Sequence, residues 1–371
     1  MTEAYIIGAV RTPAGRRDGG LAKAHPADLG ALVVRALIDR TGADPSAVDE
    51  IVLGCDDAAG PQGGNLARTC WLAAGMPPEV PGVTLDRRGG SSQQAVHAAA
   101  RAVWSGSAGL VVAGGVRSTS MVPPSEADPV AGSRGWRARY GGRAFPQLRT
   151  AETIAGKWDV SRREMEEFAV RSHRRAARAL AEWRFEREVV PAAGLLTDEG
   201  PRPDLGLAEL AALEPCAEGG RLTAALTAEP CDGAAAVLIA SADAVRAHRL
   251  SPRARVHHAS ARACDPAAPP AFAAATARAL DRTGMAADRL DVVEADEAYA
   301  CLPLAWARET GVDPERINPN GGALALGDAL GASGARALTS LLHELERAGG
   351  RYGLQVAEDG FQAEITIIER L

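Results

Sequence analysis

Apolar residues in this chain fall into short unbroken runs, separated by stretches in which they recur every three or four positions. The run over 5–10 reads as a strand, closed by Arg11-Thr12-Pro13 and the glycines Gly15, Gly19 and Gly20. Over 28–38, Leu29, Leu32, Val33 and Leu37 keep helical spacing and predict an amphipathic helix. A second strand is expected over 48–55, then a loop with Gly60, Gly63 and Gly64, then a helix from Asn65 through Trp71 to Ala74. The stretch VTLDRRGGSSQQAVH, 83–97, reads as a strand end, a tight turn through Gly89-Gly90 and a helix opening on Ser91-Ser92. That helix continues to Trp104, and a buried strand over 110–113 ends at Gly114-Gly115. Strands alternating with helices in this way predict a mainly parallel sheet covered on both faces.

From 117 to about 152 the pattern dissolves into Pro, Gly, Arg and Trp, a loop long enough to suggest a lid. A long charged helix over 164–183, capped by Ser161, follows, and Asp232-Gly233-Ala234 leads into another buried strand over 235–240. The remainder repeats the order of the first part: a helix over 270–280, a strand over 290–294, a helix over 298–308, glycine turns at 321–322 and 331–334, a helix over 335–345, and strands over 352–356 and 363–368. In both parts a Gly/Ser turn opens a helix that runs into a strand, which suggests a weak internal duplication. The expected units are 1–116, a lid with its return over 117–240, and 241–371.

Composition narrows the function classes. At 371 residues and 46% hydrophobic content the chain is long enough for two packed halves. A net charge of −6 without a basic stripe speaks against nucleic acid. The arginines over 134–143 are interleaved with Gly and Trp and suit a solvated loop, or the phosphates of an anionic ligand. No apolar run reaches membrane-spanning length and no signal peptide is visible after Met1, so a cytoplasmic location is expected. Six scattered cysteines, with no CxxC pair or zinc spacing, fit a reducing compartment and call for no metal.

The turn at 83–97 resembles the nucleophile motif of the thiolases, D-R-x-C-G-S-S-Q-Q-A, in Asp86, Arg87, Gly90, Ser91, Ser92, Gln93, Gln94 and Ala95. Other family motifs follow in order: Arg11-Thr12-Pro13, Asn65-Leu66-Ala67-Arg68, Ala113-Gly114-Gly115-Val116, Thr150-Ala151-Glu152, Asp232-Gly233-Ala234-Ala235 and the long signature from Asn318 to Arg336. The resemblance implies a duplicated α/β fold of five stacked layers (αβαβα) with an inserted loop domain. It also implies a homodimer or tetramer, a pantetheine channel reaching the Gly89 turn, and coenzyme A thioesters as substrate or ligand with no tightly bound cofactor.

The positions that carry thiolase chemistry are changed. Gly89 stands where the family has its nucleophilic cysteine, Asp328 where it has the histidine of G-H-P, and Asp296 where it has the asparagine of N-E-A-F. Glu358 and Asp359 fall on the second cysteine's C-x-G-G-G segment. A covalent acyl-cysteine route needs that nucleophile and its base. Two readings follow: an acyl-CoA binder that has lost the reaction, or an enzyme of altered class (a lyase, decarboxylase or hydrolase) using Asp328, Asp296 and Glu358 as acid and base. Clustered carboxylates would also suit a cation. A third reading keeps acyl transfer through an unrecognised nucleophile, for which Cys301 and Cys231 lie nearest the motifs. Gly90, Ser91, Arg149, Ala228, Tyr299 and Gly360 are the candidate contacts to the CoA-linked ligand. Ala228 replaces the family's coenzyme A serine, and Arg117 replaces a glutamate. An active thiolase or a small OB-fold protein is a candidate partner, by analogy with relatives that carry out retro-aldol cleavage.

Overall fold

The structure is a computed structural model and describes residues 3–125, 130, 132–268, 270–358 and 361–371. The first part contains β1 (Ala4–Arg11), β2 (Gly15–Arg16), α1 (Pro26–Thr41), β3 (Glu50–Gly54), α2 (Leu66–Ala73), β4 (Gly82–Leu85), α3 (Ser91–Ser105) and β5 (Leu110–Arg117). An insertion then carries α4 (Arg134–Tyr140), α5 (Gln147–Lys157), α6 (Arg162–Ala181) and α7 (Leu207–Ala211), and β6 (Cys231–Ser241) and α8 (Ala242–Ala247) close it. The second part runs β7 (Ala254–Ala263), α9 (Phe272–Thr283), β8 (Val292–Ala295), α10 (Cys301–Thr310), α11 (Ala323–Leu326), α12 (Ser333–Ala348), β9 (Tyr352–Glu358) and β10 (Gln362–Arg370).

The strand order β4-β3-β5-β6-β1-β7-β10-β9-β8 displays the duplication directly. Read outward from the centre, β1-β6-β5-β3 is matched by β7-β10-β9-β8. The two half-sheets touch through only two residue pairs, Tyr5 with Arg255 and Ile6 with Ala254. Folding at that joint places α3 and α12 between them, where Ala95, Val96, Ala99, Leu338, Leu341 and Leu345 form the middle core with Ile6, Val111, Val237 and Ile368. One outer core sets Leu29, Val33 and Leu37 of α1 and Trp71 of α2 on Ile51 and Val112. The other sets Phe272, Ala275, Leu302 and Trp306 on Val293, Leu354 and Ile365. Helix, sheet, helices, sheet, helix make the five layers.

The sheet corrects one expectation. Among the named strands only β3–β4, β3–β5 and β8–β9 pair in parallel, and every other described strand-to-strand pairing is antiparallel. All eleven residues of β6 are buried, because helices cover both faces of an antiparallel centre. A run buried on both sides carries no information about strand direction. The strand β7 is also absent from the sequence reading, since its outer half, His257 to Ala263, is too polar to stand out. The 117–152 segment holds α4 and the start of α5 rather than a plain loop. The long charged helix appears as α6, with Ser161 and Glu164 forming a reciprocal capping box.

Close approach of backbones sets the height of α3. A Cβ on Gly54, at the end of β3, would lie 2.2 Å from Ser92 N. A larger residue there would lift the start of α3 away from the strand ends.

His97 sits fully buried in α3 with Nε2 2.8 Å from Thr366 Oγ1, and burial pulls its pKa down to about 3. Between that value and 6.5 the unfolded chain binds a proton that the folded chain refuses. Stability from this group is therefore full above about pH 6.5 and lost as pH falls. Relative to a His97→Gln variant, wild type is expected to lose about 1.4 kcal/mol per pH unit below pH 6. Urea titrations of both proteins at pH 7, 6 and 5 measure that difference, and a constant difference contradicts it.

Candidate active site

The turn after β4 is built by its own side chains. Asp86 Oδ1 accepts from Arg88 N at 2.8 Å, and Arg88 takes a left-handed φ of 49°. Gly90 N and Ser91 N then donate to Arg87 O and Arg88 O at 3.0 and 3.1 Å. The Ser91 hydroxyl donates to Arg88 O at 2.5 Å and accepts from Arg87 N at 2.8 Å, so this buried serine serves the turn. Arg87 Nη1 donates to Gln94 Oε1 at 2.7 Å and to Glu364 Oε1 at 2.6 Å, tying the turn to β10. A Cβ on Gly90 would lie 2.6 Å from Glu364 Oε2, so Gly90 is a packing glycine.

Gly89 is different. Its backbone lies outside the left-handed region, and a Cβ built on it meets no heavy atom within 4 Å. Neither conformation nor space demands glycine here. The room for a side chain at the positive end of α3 is still present.

Asp296 follows β8, its N donating to Val356 O at 2.9 Å and its Oδ1 accepting from Ala298 N at 2.8 Å. Asp328 is held alike: N donates to Glu229 O at 2.8 Å, and Oδ1 accepts from Leu330 N at 2.8 Å and from the Ser333 hydroxyl at 2.5 Å. Each carboxylate thus bonds the backbone N–H two residues on, which fixes its loop. Gly89, Asp296 and Asp328 line one pocket of about 50 Å³. Asp296 also lines an adjoining pocket with Glu358, and Glu358 lines a further one with Tyr299, Gln147 and Thr150. Asp296 is thus common to the Asp328 pocket and to one of the Glu358 pockets.

Other expected residues lie elsewhere. Arg149 is exposed on α5 and lines none of these pockets. Ala228 is buried and donates its N–H to Ala298 O at 3.0 Å. Gly360 and Asp359 lie outside the described residues. Arg117 is fully buried, with Nη1 3.1 Å from Asp56 O and Nη2 3.4 Å from Asp57 Oδ2, a structural ion pair. The insertion does reach the site's edge, since Gln147 and Thr150 of α5 line a pocket with Glu358; Trp136, Tyr140 and Phe145 pack together, and Phe145 meets the Phe361 ring edge-on at 6.0 Å.

None of the six free cysteines lines the Gly89 pocket. Cys301 is buried with Sγ 3.4 Å from Ala151 O, and burial pushes its thiol up to about 12. Cys231 is buried behind the Asp328 loop, its thiol likewise pushed up by burial, with Asp328 adding to the rise. Among the described residues no three His, Cys, Asp or Glu side chains come together closely enough to hold a metal ion.

Three further residues line the pocket and were not among the expected site residues: Glu294 on β8, Arg336 on α12 and Gln355 on β9. They are 3%, 7% and 2% exposed. Burial pushes the Glu294 carboxyl well above the usual carboxylate range, with the Arg336 guanidinium pulling the other way. Leaving such buried polar groups unpaired costs about 1–3 kcal/mol each.

Residues 4–243 match the thiolase N-terminal domain and residues 250–370 the thiolase C-terminal domain. The chain belongs to the thiolase family. It is 51% identical to the steroid 3-ketoacyl-CoA thiolase FadA6 of Mycobacterium tuberculosis, over 100% of this chain and 95% of that one. It is 42% identical to the β-ketoadipyl-CoA thiolase of Pseudomonas aeruginosa, over 95% of each. The crystal structure of the Bacillus anthracis acetyl-CoA acetyltransferase superposes with a TM-score of 0.91 at 31% identity, covering 100% of this chain and 99% of that one.

Proposed function

We propose that this thiolase-family protein binds an acyl-CoA or related thioester without running cysteine-dependent thiolysis or Claisen condensation. The observation that carries the reading is Gly89: the place of a side chain is open, at the start of α3, and no sulfur lines the pocket beside it. Two carboxylates there, Asp296 and Asp328, would oppose a thiolate or a developing enolate rather than stabilise it. The CoA-linked ligand class is inferred from the names of the thiolase relatives. Acyl transfer through Cys301 or Cys231 is disfavoured by burial and by thiols held protonated.

A second reading, acid–base chemistry on a CoA-linked substrate, is supported by one fact: Asp296 and Asp328 line the same pocket. A homo-oligomer and a partner belong to the proposal as expectations from the family, and a cytoplasmic location as one from the sequence.

Calorimetric titration with CoA and acetoacetyl-CoA, followed by mass spectrometry of the recovered ligand, tests the reading. The expected result is saturable binding with no acyl group transferred from one CoA to another. Absence of binding by either ligand overturns it.

A further inference from the structure

Three side chains more than nine-tenths buried face the pocket beside Gly89 with atoms that take no hydrogen bond. These are Glu294 Oε1, Gln355 Oε1, and Nε and Nη1 of Arg336. They sit on three separate elements, β8, β9 and α12, so no single turn explains them. Glu297, on the same wall, is by contrast fully engaged by Ser172, Asn318 and Leu324 N. The unpaired set combines acceptors with a cationic donor. Its complement is a small molecule that both donates and accepts, and a pocket of about 50 Å³ has room for one to a few waters.

The same pocket opens onto the free space at Gly89 and onto Asp328. Both described bonds to the Asp328 carboxylate fall on Oδ1, from Leu330 N and Ser333 Oγ. That leaves Oδ2 as the oxygen able to take a proton. Asp296 stands on the wall shared with Glu358.

We propose that the pocket formed by Glu294, Arg336 and Gln355 seats water in place of the missing nucleophile, and that Asp328 activates it to hydrolyse a CoA thioester. The inference rests on the acyl-CoA binding reading above. In the step, Asp328 takes a proton from water as the water oxygen bonds to the thioester carbonyl carbon. The tetrahedral adduct then collapses, the carbon–sulfur bond breaks, and the CoA thiolate receives the proton from Asp328. The products are a carboxylic acid and free CoA, with no oxidant, reductant or second substrate. Asp328 is the catalytic base, while Glu294, Arg336 and Gln355 are positioning residues that act through the water.

The test incubates the full chain with acetyl-CoA and with acetoacetyl-CoA in heavy-oxygen water. Free CoA and acid are separated by chromatography, and the acid is weighed by mass spectrometry. Release of CoA with one solvent oxygen in the acid is expected. Asp328→Asn keeps the Oδ1 acceptor for Leu330 and Ser333 and is expected to lower kcat by roughly 10²-fold or more with the calorimetric Kd unchanged. Gln355→Met is expected to lower kcat less and to leave Kd and the pH profile in place. Binding without CoA release overturns the hydrolysis and leaves the binding reading standing, whereas absence of binding overturns both. An Asp328→Asn protein as active as wild type overturns the role given to Asp328.

Discussion

Replacing Arg11 with methionine is expected to destabilise the fold by about 3–5 kcal/mol, the usual effect of removing one partner from a buried ion pair. The guanidinium is fully buried, with Nε 2.6 Å from Glu188 Oε1 and Nη1 and Nη2 at 2.6 and 2.9 Å from the two Asp198 oxygens. Two carboxylates would be left in the interior without their cation. Burial pushes Glu188 up even with Arg11 beside it, the guanidinium pulling only partly the other way. The Ser340 hydroxyl on α12 also donates to Glu188 Oε1 at 3.0 Å, so the damage would reach the middle layer that carries the site. Urea unfolding of Arg11→Met beside Arg11→Met/Glu188→Gln/Asp198→Asn measures this. Neutralising the stranded carboxylates should return part of the loss, and an Arg11→Met protein as stable as wild type contradicts the account.

Placing a cysteine at position 89 gives the second large effect. Gly89→Cys is expected to fold, because its Cβ meets nothing within 4 Å and its backbone is not left-handed. The start of α3 favours a thiolate there, but Asp296 and Asp328 share the pocket and their negative charge would oppose it. The single variant should therefore take an acetyl group from acetyl-CoA slowly. Adding Asp328→His replaces a like charge by a base, and should speed acetylation by roughly 10²-fold or more. Intact-mass time courses read the rate directly, with Cys216→Ser in the background since Cys216 is the exposed native cysteine among the six. Equal rates in the single and double variants would show that Asp328 does not control the position.

Much of the fold is legible in the chain because its signals are local. The Gly89 turn, the Ser161 cap, and the helices that became α1, α3, α6, α9 and α12 follow from spacing, caps and glycines. Strand direction is not local. The residues of β6 are buried on both faces whichever way their neighbours run, so its antiparallel pairing with β1 and β5 emerges only in three dimensions. The site divides in the same way. Gly89, Asp296 and Asp328 stand out because each interrupts a motif that is otherwise kept. Glu294, Arg336 and Gln355 interrupt nothing. Glu294 is one charge in a short apolar strand, Arg336 belongs to the signature, and only the meeting of β8, β9 and α12 puts them around one pocket.

The central claim, that an acyl-CoA is held without forming an acyl-enzyme, is tested most directly by intact-protein mass spectrometry at saturating acetoacetyl-CoA and acetyl-CoA. Aliquots are quenched over time, and calorimetry under the same conditions verifies occupancy. The account predicts a saturated site and an unmodified mass at every time point. A stoichiometric acetyl adduct that appears and is discharged by added CoA would contradict it, and would mean that this thiolase site works through a nucleophile other than the residue at position 89.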